Sequence, residues 1–322
     1  MPAVSVVMPV HNERPHIDDS ISSILGQTFR DFELIVLENG STDGSPERLA
    51  WWADRDPRIR VHRVDGRLGG AASSNAVVAL ATAPLIARMD ADDISHPRRL
   101  QRQAEVLAQR SDVVLVTTLH SYLDSAGRTV RGRDAWPLLV GRAEMPFAGG
   151  CLMFRRSAYE QVGGYRKIWT WEDLDLCQRL SGVGRVLVLP QALYGVRFHS
   201  TSRTCSISDR TAVDAALARA RDRATRTGDR PPAGAKDVAA GALFELAGMQ
   251  LWAGERPASL RSLLAAARRE PARRRAAYSI WAGWAAVSPA SLRAALRLRA
   301  RGRDFVARRW LDGEVAREWR FE

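Results

Sequence analysis

Lysine is nearly missing from this chain of 322 residues: Lys167 and Lys236 are the only lysines among 48 basic side chains. Cysteine is scarce as well. Cys151, Cys177 and Cys205 lie far apart with no CxxC, which excludes a disulfide framework and a cysteine zinc site and suits a reducing compartment. No run reaches about 18 consecutive apolar residues, the length a membrane-spanning helix requires. The opening MPAVSVVMPVHNE has no basic n-region and no cleavage site, so a secretory leader is not expected. A cytoplasmic location is expected, with the inner face of the cell membrane as a peripheral alternative. Neither a GxGxxG nor a GxxxxGK[ST] loop occurs, which removes dinucleotide binding and P-loop hydrolysis of those kinds. A basic surface interleaved with aromatics is also missing, so nucleic acid is not an expected partner.

The charge that is present is unevenly placed. Residues 1–210 carry 26 basic and 24 acidic side chains, whereas residues 211–322 carry 22 and 12. Arginine written in place of lysine on solvated helix faces would account for this. So would a surface that meets anionic lipid heads or a phosphorylated acceptor.

Hydrophobic patterning alternates strand and helix. VSVVMPV (4–10) is a β-branched run of the kind buried on both faces. HIDDSISSILGQT (16–28) has Ile17, Ile21, Ile24 and Leu25 at helical spacing. FELIVLE then leads into the polar ENGSTDGS, and SPERLAWWADRD reads as a helix with Ser45 as N-cap and Pro46 at its first position. A strand (58–64), a small-residue helix (69–83), a strand (84–90), a helix (96–110) and a strand (112–124) follow. This order implies an α/β fold, Rossmann-like, with a mostly parallel sheet and helices on both faces. An Ala/Arg helix and Gly/Pro-rich linker (206–235) and a basic α-helical region (236–322) complete the chain, with AAYSIWAGWAAV (276–287) inside the latter as a packing or membrane-surface helix.

Ligands on such sheets collect beyond the carboxyl ends of the strands. HNE after the first strand, ENGSTDGS after the second and DADD after the fourth are expected there. Asp90, Asp92 and Asp93 place three carboxylates within four positions, and their mutual repulsion calls for positive charge. A hard divalent cation with oxygen ligands fits; the structural alternative is that these acids, or Ser95, cap a helix beginning near Pro97. Glu38 and Asn39 offer acceptors for a uracil-like base or ribose hydroxyl, or else form an Asn-Gly turn. In IWTWEDLDLCQRL (168–180), Glu172, Asp173 and Asp175 sit amid Trp169, Trp171 and leucines. A carboxylate in such a setting can serve as general base, or the acids complement a helix dipole. Upstream, FAGGCLMFRRSAYEQVGGY (147–165) gives a glycine-rich approach, a strand and a helix. Downstream, Arg197 and His199 alternate at the end of a strand.

In this order these residues resemble the family-2 inverting glycosyltransferases of GT-A fold, over about residues 3–202. The resemblance implies a GT-A domain over 1–205, with a nucleotide-sugar-binding half (1–110) and an acceptor half (111–205). It implies transfer, with inversion, of a sugar from a nucleotide-diphosphate sugar to a hydroxyl of a glycan or lipid-linked acceptor, in cell-surface polysaccharide synthesis and with Mn²⁺ or Mg²⁺. Pro9, His11, Glu13, Glu38 and Asn39 would line the nucleoside pocket. Asp90 and Asp92 would form the metal–diphosphate motif, with Asp93 beside them on the nucleotide sugar and His199 as a further metal or diphosphate contact. Asp173 would be the base, supported by Glu172. Departures from the family pattern fall at His11, where Tyr is usual, and at Glu38-Asn39, where Asp-Asp is common. Ser74 stands where a basic residue is frequent, so that diphosphate contact is missing or moved to Arg67. These leave a UDP-sugar favoured over GDP- or dTDP-sugars. The alternative on the same fold is a non-catalytic nucleotide-sugar-binding or regulatory protein.

Overall fold

The structure, a computed structural model, describes residues 1–130, 148–167, 172–197, 199, 201 and 202, with scattered positions beyond (243, 260–262, 264, 265, 268, 317 and 318). Trp169, Trp171, Cys205, the linker expected over 206–235 and nearly all of the basic region 236–322, with the membrane contact it suggested, lie outside the described residues. Two compact units divide the chain. The first comprises residues 1–121, 147–196 and 312–321, the second residues 122–146, 197–311 and 322.

In the first unit, β1 (Val4–Val10) and β2 (Phe32–Glu38) are covered on both faces, and Val4, Val6, Val7, Met8, Leu34, Ile35 and Val36 are fully buried. Burying each such aliphatic chain contributes about 1.5–3 kcal/mol, which is why these continuous apolar runs become central strands. β3 (Ile59–Arg63) and β4 (Leu85–Arg88) flank them, and β1–β2, β1–β4 and β2–β3 all pair parallel. Around them lie α1 (Ile17–Leu25), α2 (Ser45–Ala53), α3 (Gly70–Ala79) and α4 (Arg99–Gln109). The remaining elements are β5 (Ile94–Ser95), β6 (Val113–Leu123), β7 (Thr129–Val130), β8 (Met153–Arg155), α5 (Arg156–Gln161), α6 (Glu172–Ser181), β9 (Arg185–Arg197) and β10 (Arg317–Glu318). The sheet order is β10-β9-β6-β8-β4-β1-β2-β3, with β5 on β9 and β7 on β6. β8 runs antiparallel to both β4 and β6, so the parallel half gives way to an antiparallel half at β8.

The chain leaves β1 toward β2 and β3 and returns to its other side as β4, so the topological switch lies between β1 and β4, where ligands bind such sheets. Pro9 marks the same place. It sits in a central strand, a position that normally needs its N–H. The β1–β4 ladder ends at the Val7–Arg88 pair, however, and the proline nitrogen falls on the β4 side just past that end. The two strands therefore part at their carboxyl ends.

Two local expectations are corrected. Gly44, at φ 83°, is the N-cap of α2, and Ser45 is its first residue. Asp43 performs the capping instead, its Oδ1 accepting from Ser45 N at 3.1 Å and from Ser45 Oγ at 2.6 Å, and the left-handed backbone at position 44 needs glycine. Likewise, no carboxylate caps α4. That helix begins at Arg99, its N-cap Arg98 makes no side-chain cap bond, and β5 lies between it and Asp93. The fourth strand also ends at Arg88, two residues before Asp90. No helix among the described residues is long and apolar enough to cross a membrane.

Candidate active site

The loops after β1 and β2 are joined by hydrogen bonds. Three successive backbone N–H groups, those of Asn12, Glu13 and Arg14, donate to Ser41 Oγ (3.0 Å), Ser45 Oγ (3.0 Å) and Asp43 Oδ2 (2.9 Å). Asn12 returns the contact, its Oδ1 accepting from Thr42 N at 2.8 Å, and it adopts a positive φ of 57° to do so. The Ser-Thr-Asp-Gly-Ser cluster is thus a receptor for the backbone of the first loop as well as a helix start. His11 completes the join through Nδ1, 2.9 Å from the Asn39 carbonyl oxygen.

Glu38 and Asn39 are committed to local structure. Glu38 is buried, and its Oε1 accepts from Ser41 N. Its Oε2 lies 3.1 Å from Arg63 Nε, an ion pair without hydrogen-bond alignment. Asn39 clasps Leu68: Oδ1 accepts from Leu68 N at 2.7 Å and Nδ2 donates to Leu68 O at 3.0 Å. Gly40 allows the approach, since a Cβ there would stand 2.7 Å from Gly66 O, at a φ of 72° that itself favours glycine. The clasp holds the 66–68 loop at the end of β2 with Arg67 exposed on it.

At the end of β4 and at the start of α4, two buried guanidinium groups lie close to Asp90 and Asp93. Arg88 is buried and donates from Nη1 to Ser74 Oγ (3.1 Å), Tyr165 Oη (3.2 Å) and Asp173 Oδ1 (3.1 Å), and from Nη2 to Asp90 Oδ1 (3.1 Å). Burial opposes its charge, but the Tyr165, Asp173 and Asp90 groups outweigh burial and raise its pKa well above the ordinary guanidinium value. Arg99 is fully buried and donates to neutral acceptors: Ser95 Oγ (2.7 Å), Arg88 O (3.0 Å) and Gly150 O (3.4 Å). Burial lowers its pKa, and the Asp90 and Asp93 carboxylates act against that from a distance. Part of the positive charge that the Asp90–Asp93 cluster requires therefore comes from the chain itself. Tyr194 adds an anchor, its hydroxyl accepting from Asp90 N at 3.1 Å; burial first, then Asp93 and Asp90, push its own pKa well up, so it stays neutral.

Asp173 reaches the same place from α6. Of the acids in that helix's first turn, Asp175 pairs with Arg179 at 2.7 Å and Glu172 is buried, while Asp173 turns its Oδ1 to Arg88. The approach is opened by a short 3₁₀ turn, Gly149–Cys151. A Cβ on Gly149 would stand 2.0 Å from Asp173 Oδ2. One on Gly150 would stand 2.0 Å from Tyr194 Oη and 2.8 Å from Asp90 Oδ2. Neither glycine has a positive φ; they are needed for space alone.

Asp90 and Asp173 are therefore brought together, with Asp92 half-buried and Asp93 buried on the same loop. The donor set suits a hard cation: Asp90 gives one oxygen to Arg88, and its Oδ2 faces the opening that Gly150 keeps. Arg197 and His199 belong to the second unit. There Arg197 Nη1 donates to Ser125 O at 3.1 Å against Gly127, and buried His199 places Nδ1 2.9 Å from Thr201 Oγ1. Arg88, Arg99, Tyr165 and Tyr194 escaped the sequence reading. Its only signal for them was an arginine closing an otherwise buried strand, IARMD.

The chain is similar to several known proteins. The family model described as glycosyl transferase family 2 matches residues 5–163. EpsE of Bacillus subtilis (strain 168), named as a glycosyltransferase, is 37% identical over 208 residues, which are 61% of this chain and 73% of that protein. The O-antigen biosynthesis glycosyltransferase WbnJ of Escherichia coli is 32% identical over 183 residues, 55% of this chain and 71% of that protein. Among solved structures, the mannosyltransferase PcManGT from Pyrobaculum calidifontis, in complex with GDP-Man and Mn²⁺, aligns with a TM-score of 0.56 at 22% identity, over 94% of this chain and 87% of that one. S. aureus TarS with UDP-GlcNAc aligns with a TM-score of 0.55 at 17% identity, over 93% and 92%. The fold is the GT-A fold. The chain belongs to glycosyl transferase family 2, and it is a glycosyltransferase.

Proposed function

We propose that the enzyme moves a sugar from a nucleotide-diphosphate sugar, with a UDP-sugar as the favoured donor, to a hydroxyl of a glycan or glycolipid acceptor, inverting the anomeric carbon. Cell-surface polysaccharide synthesis is the setting, a reading supported by the O-antigen relative. The observation that carries the proposal is the meeting of Asp90 and Asp173, each 3.1 Å from one buried guanidinium beyond the carboxyl ends of β1 and β4. Asp90 and Asp92 would hold Mn²⁺ or Mg²⁺, which when bound offsets charge on the departing diphosphate. Asp93 shapes the loop beside them. Asp173, with Glu172 behind it, accepts the proton of the attacking acceptor hydroxyl. The new bond forms at the anomeric carbon as its bond to the diphosphate oxygen breaks, so a single displacement inverts the centre. Pro9, His11, Glu13, Glu38 and Asn39 form the nucleoside end. The clasps described above support Glu38 and Asn39 as parts of its wall, with exposed Arg67 on the clasped loop as the diphosphate contact. The two solved neighbours carry GDP-Man and UDP-GlcNAc, so both bases belong in the test.

That test is nucleotide release from a panel of UDP-, GDP- and dTDP-sugars with Mn²⁺, repeated with Asp173→Asn. One donor class should turn over, and Asp173→Asn should slow it about 10²-fold or more, the usual worth of a general base, while nucleotide binding is retained. Normal turnover by Asp173→Asn would remove that residue from its role.

A further inference from the structure

We infer that Arg88 is a positioning residue of this site: one buried guanidinium fixes the separation of the Asp90 and Asp173 carboxylates by holding one oxygen of each. The inference rests on the roles proposed above for those two aspartates and adds the group that relates them. Arg88 itself is braced. It sits at the last position of β4, its Nη1 is shared with Ser74 of α3 and with Tyr165, and Tyr165 is fastened to α3 in turn. Asn75 Nδ2 donates to Tyr165 O at 2.8 Å, and Tyr165 N donates to Asn75 Oδ1 at 2.8 Å. The second oxygens are confined from the other side, because Asp173 Oδ2 and Asp90 Oδ2 lie against the space that Gly149 and Gly150 leave open. Each carboxylate is thus held between the guanidinium and a side-chain-free stretch of backbone.

Arg99 supplies the contrast. It is as deeply buried, yet neutral oxygens hydrogen-bond it. A buried arginine in this fold does not need carboxylate partners, whereas Arg88 has two, one two residues along its own segment and one 85 residues away. A planar guanidinium with separate N–H donors can hold two carboxylates at a set spacing, which the point charge of a lysine ammonium cannot do. The position at which the sequence suggested a missing basic residue, Ser74, is an acceptor for this same guanidinium, so positive charge reaches the site from β4 rather than from α3.

The test is a double-mutant cycle of Arg88→Lys and Asp173→Asn, read by kcat for nucleotide release to water and by calorimetric binding of UDP or GDP, whichever the donor panel selects, with Mn²⁺. Arg88→Lys should lower kcat about 10²-fold, the cost of misplacing a reacting group, and should weaken Mn²⁺-dependent nucleotide binding severalfold, because Asp90 loses the same support. In the Asp173→Asn background the same substitution should lower kcat by less than about threefold, because residues acting through one another are not additive. Equal losses in both backgrounds, or an unchanged kcat for Arg88→Lys alone, overturn the inference. A fully active Asp173→Asn would instead overturn the proposed base, which separates the two failures. If Arg88→Lys does not fold, Tyr165→Phe removes one anchor of the guanidinium without altering charge. A severalfold fall in kcat at unchanged KM is then expected, and an unchanged kcat overturns the inference.

Discussion

Gly149 and Gly150 do their work by lacking a side chain next to charged oxygens. A methyl group on Gly149 would overlap Asp173 Oδ2 and one on Gly150 would overlap Tyr194 Oη and crowd Asp90 Oδ2, so different substitutions should damage different steps. Gly149→Ala is expected to displace Asp173 and lower kcat by about tenfold to 10²-fold with nucleotide affinity little changed. Gly150→Ala is expected to displace Asp90 and to weaken Mn²⁺-dependent nucleotide binding, at an overpacking cost of about 1–3 kcal/mol in stability. Steady-state kinetics beside calorimetry separates the two. Identical defects in both variants would mean that the turn matters only as a whole. Sequence could mark this pair as a glycine-rich approach, but not which atoms it spares.

At the scale of elements, the ends of β1 and β2 and the 66–68 loop are held by side chains bonding to backbone. Asn39 is the clearest case, because its amide matches both the N–H and the C=O of Leu68. A carboxylate at this position would still accept from the N–H but would set an oxygen against the carbonyl. Asn39→Asp should therefore destabilise the protein by about 1–3 kcal/mol at pH 7, the cost of a broken buried hydrogen bond, measured by urea denaturation. Stability equal to that of the parent would show that the loop rearranges freely. β1, β2, α1 and α3 were legible from their patterns, since a β-branched run or a helical stripe is a local property. β5 was not: two residues form a strand only because β9 lies alongside, with Ile94 opposite Gly195. The early end of β4 was equally hidden, since it depends on where its neighbour β1 stops pairing.

For the molecule as a whole, Glu33 links stability to pH. Its carboxylate accepts from Ser5 Oγ (2.6 Å), Thr82 N (2.8 Å), Thr82 Oγ1 (2.6 Å) and Arg60 Nη1 (2.9 Å), tying β1, β2, β3 and the approach to β4 together. Burial alone would raise its pKa, but the hydrogen bonds from Ser5, Thr82 and Arg60 outweigh it and hold the group below the ordinary glutamate value. The contribution is therefore complete above the unfolded pKa and is lost as pH falls through the lower folded one. Glu33→Gln should cost about 2 kcal/mol at pH 7, and the gap from the parent should narrow as pH falls below about 4.5. Urea denaturation across that range checks it; a gap that stays constant would exclude the linkage.

The sequence by itself determined the alternation of strand and helix, the central position of β1 and β2, and the polar loops at the strand ends. Each follows from the local period of apolar residues and from the rule that ligands gather where parallel strands end. It also gathered acids in two places, Asp90, Asp92 and Asp93 in one loop and Glu172, Asp173 and Asp175 at a helix start, and the family resemblance pointed to Asp90, Asp92 and Asp173 among them. Only the tertiary structure decided what holds them. Crowded like charges require compensation, and in sequence alone a cation is the natural source. The fold supplies part of it from within, by burying Arg88 and Arg99 under the loop, where removal from water makes every hydrogen bond to them count. That Asp173 meets Arg88 depends on a contact between segments 85 residues apart, a distance over which no local pattern carries information.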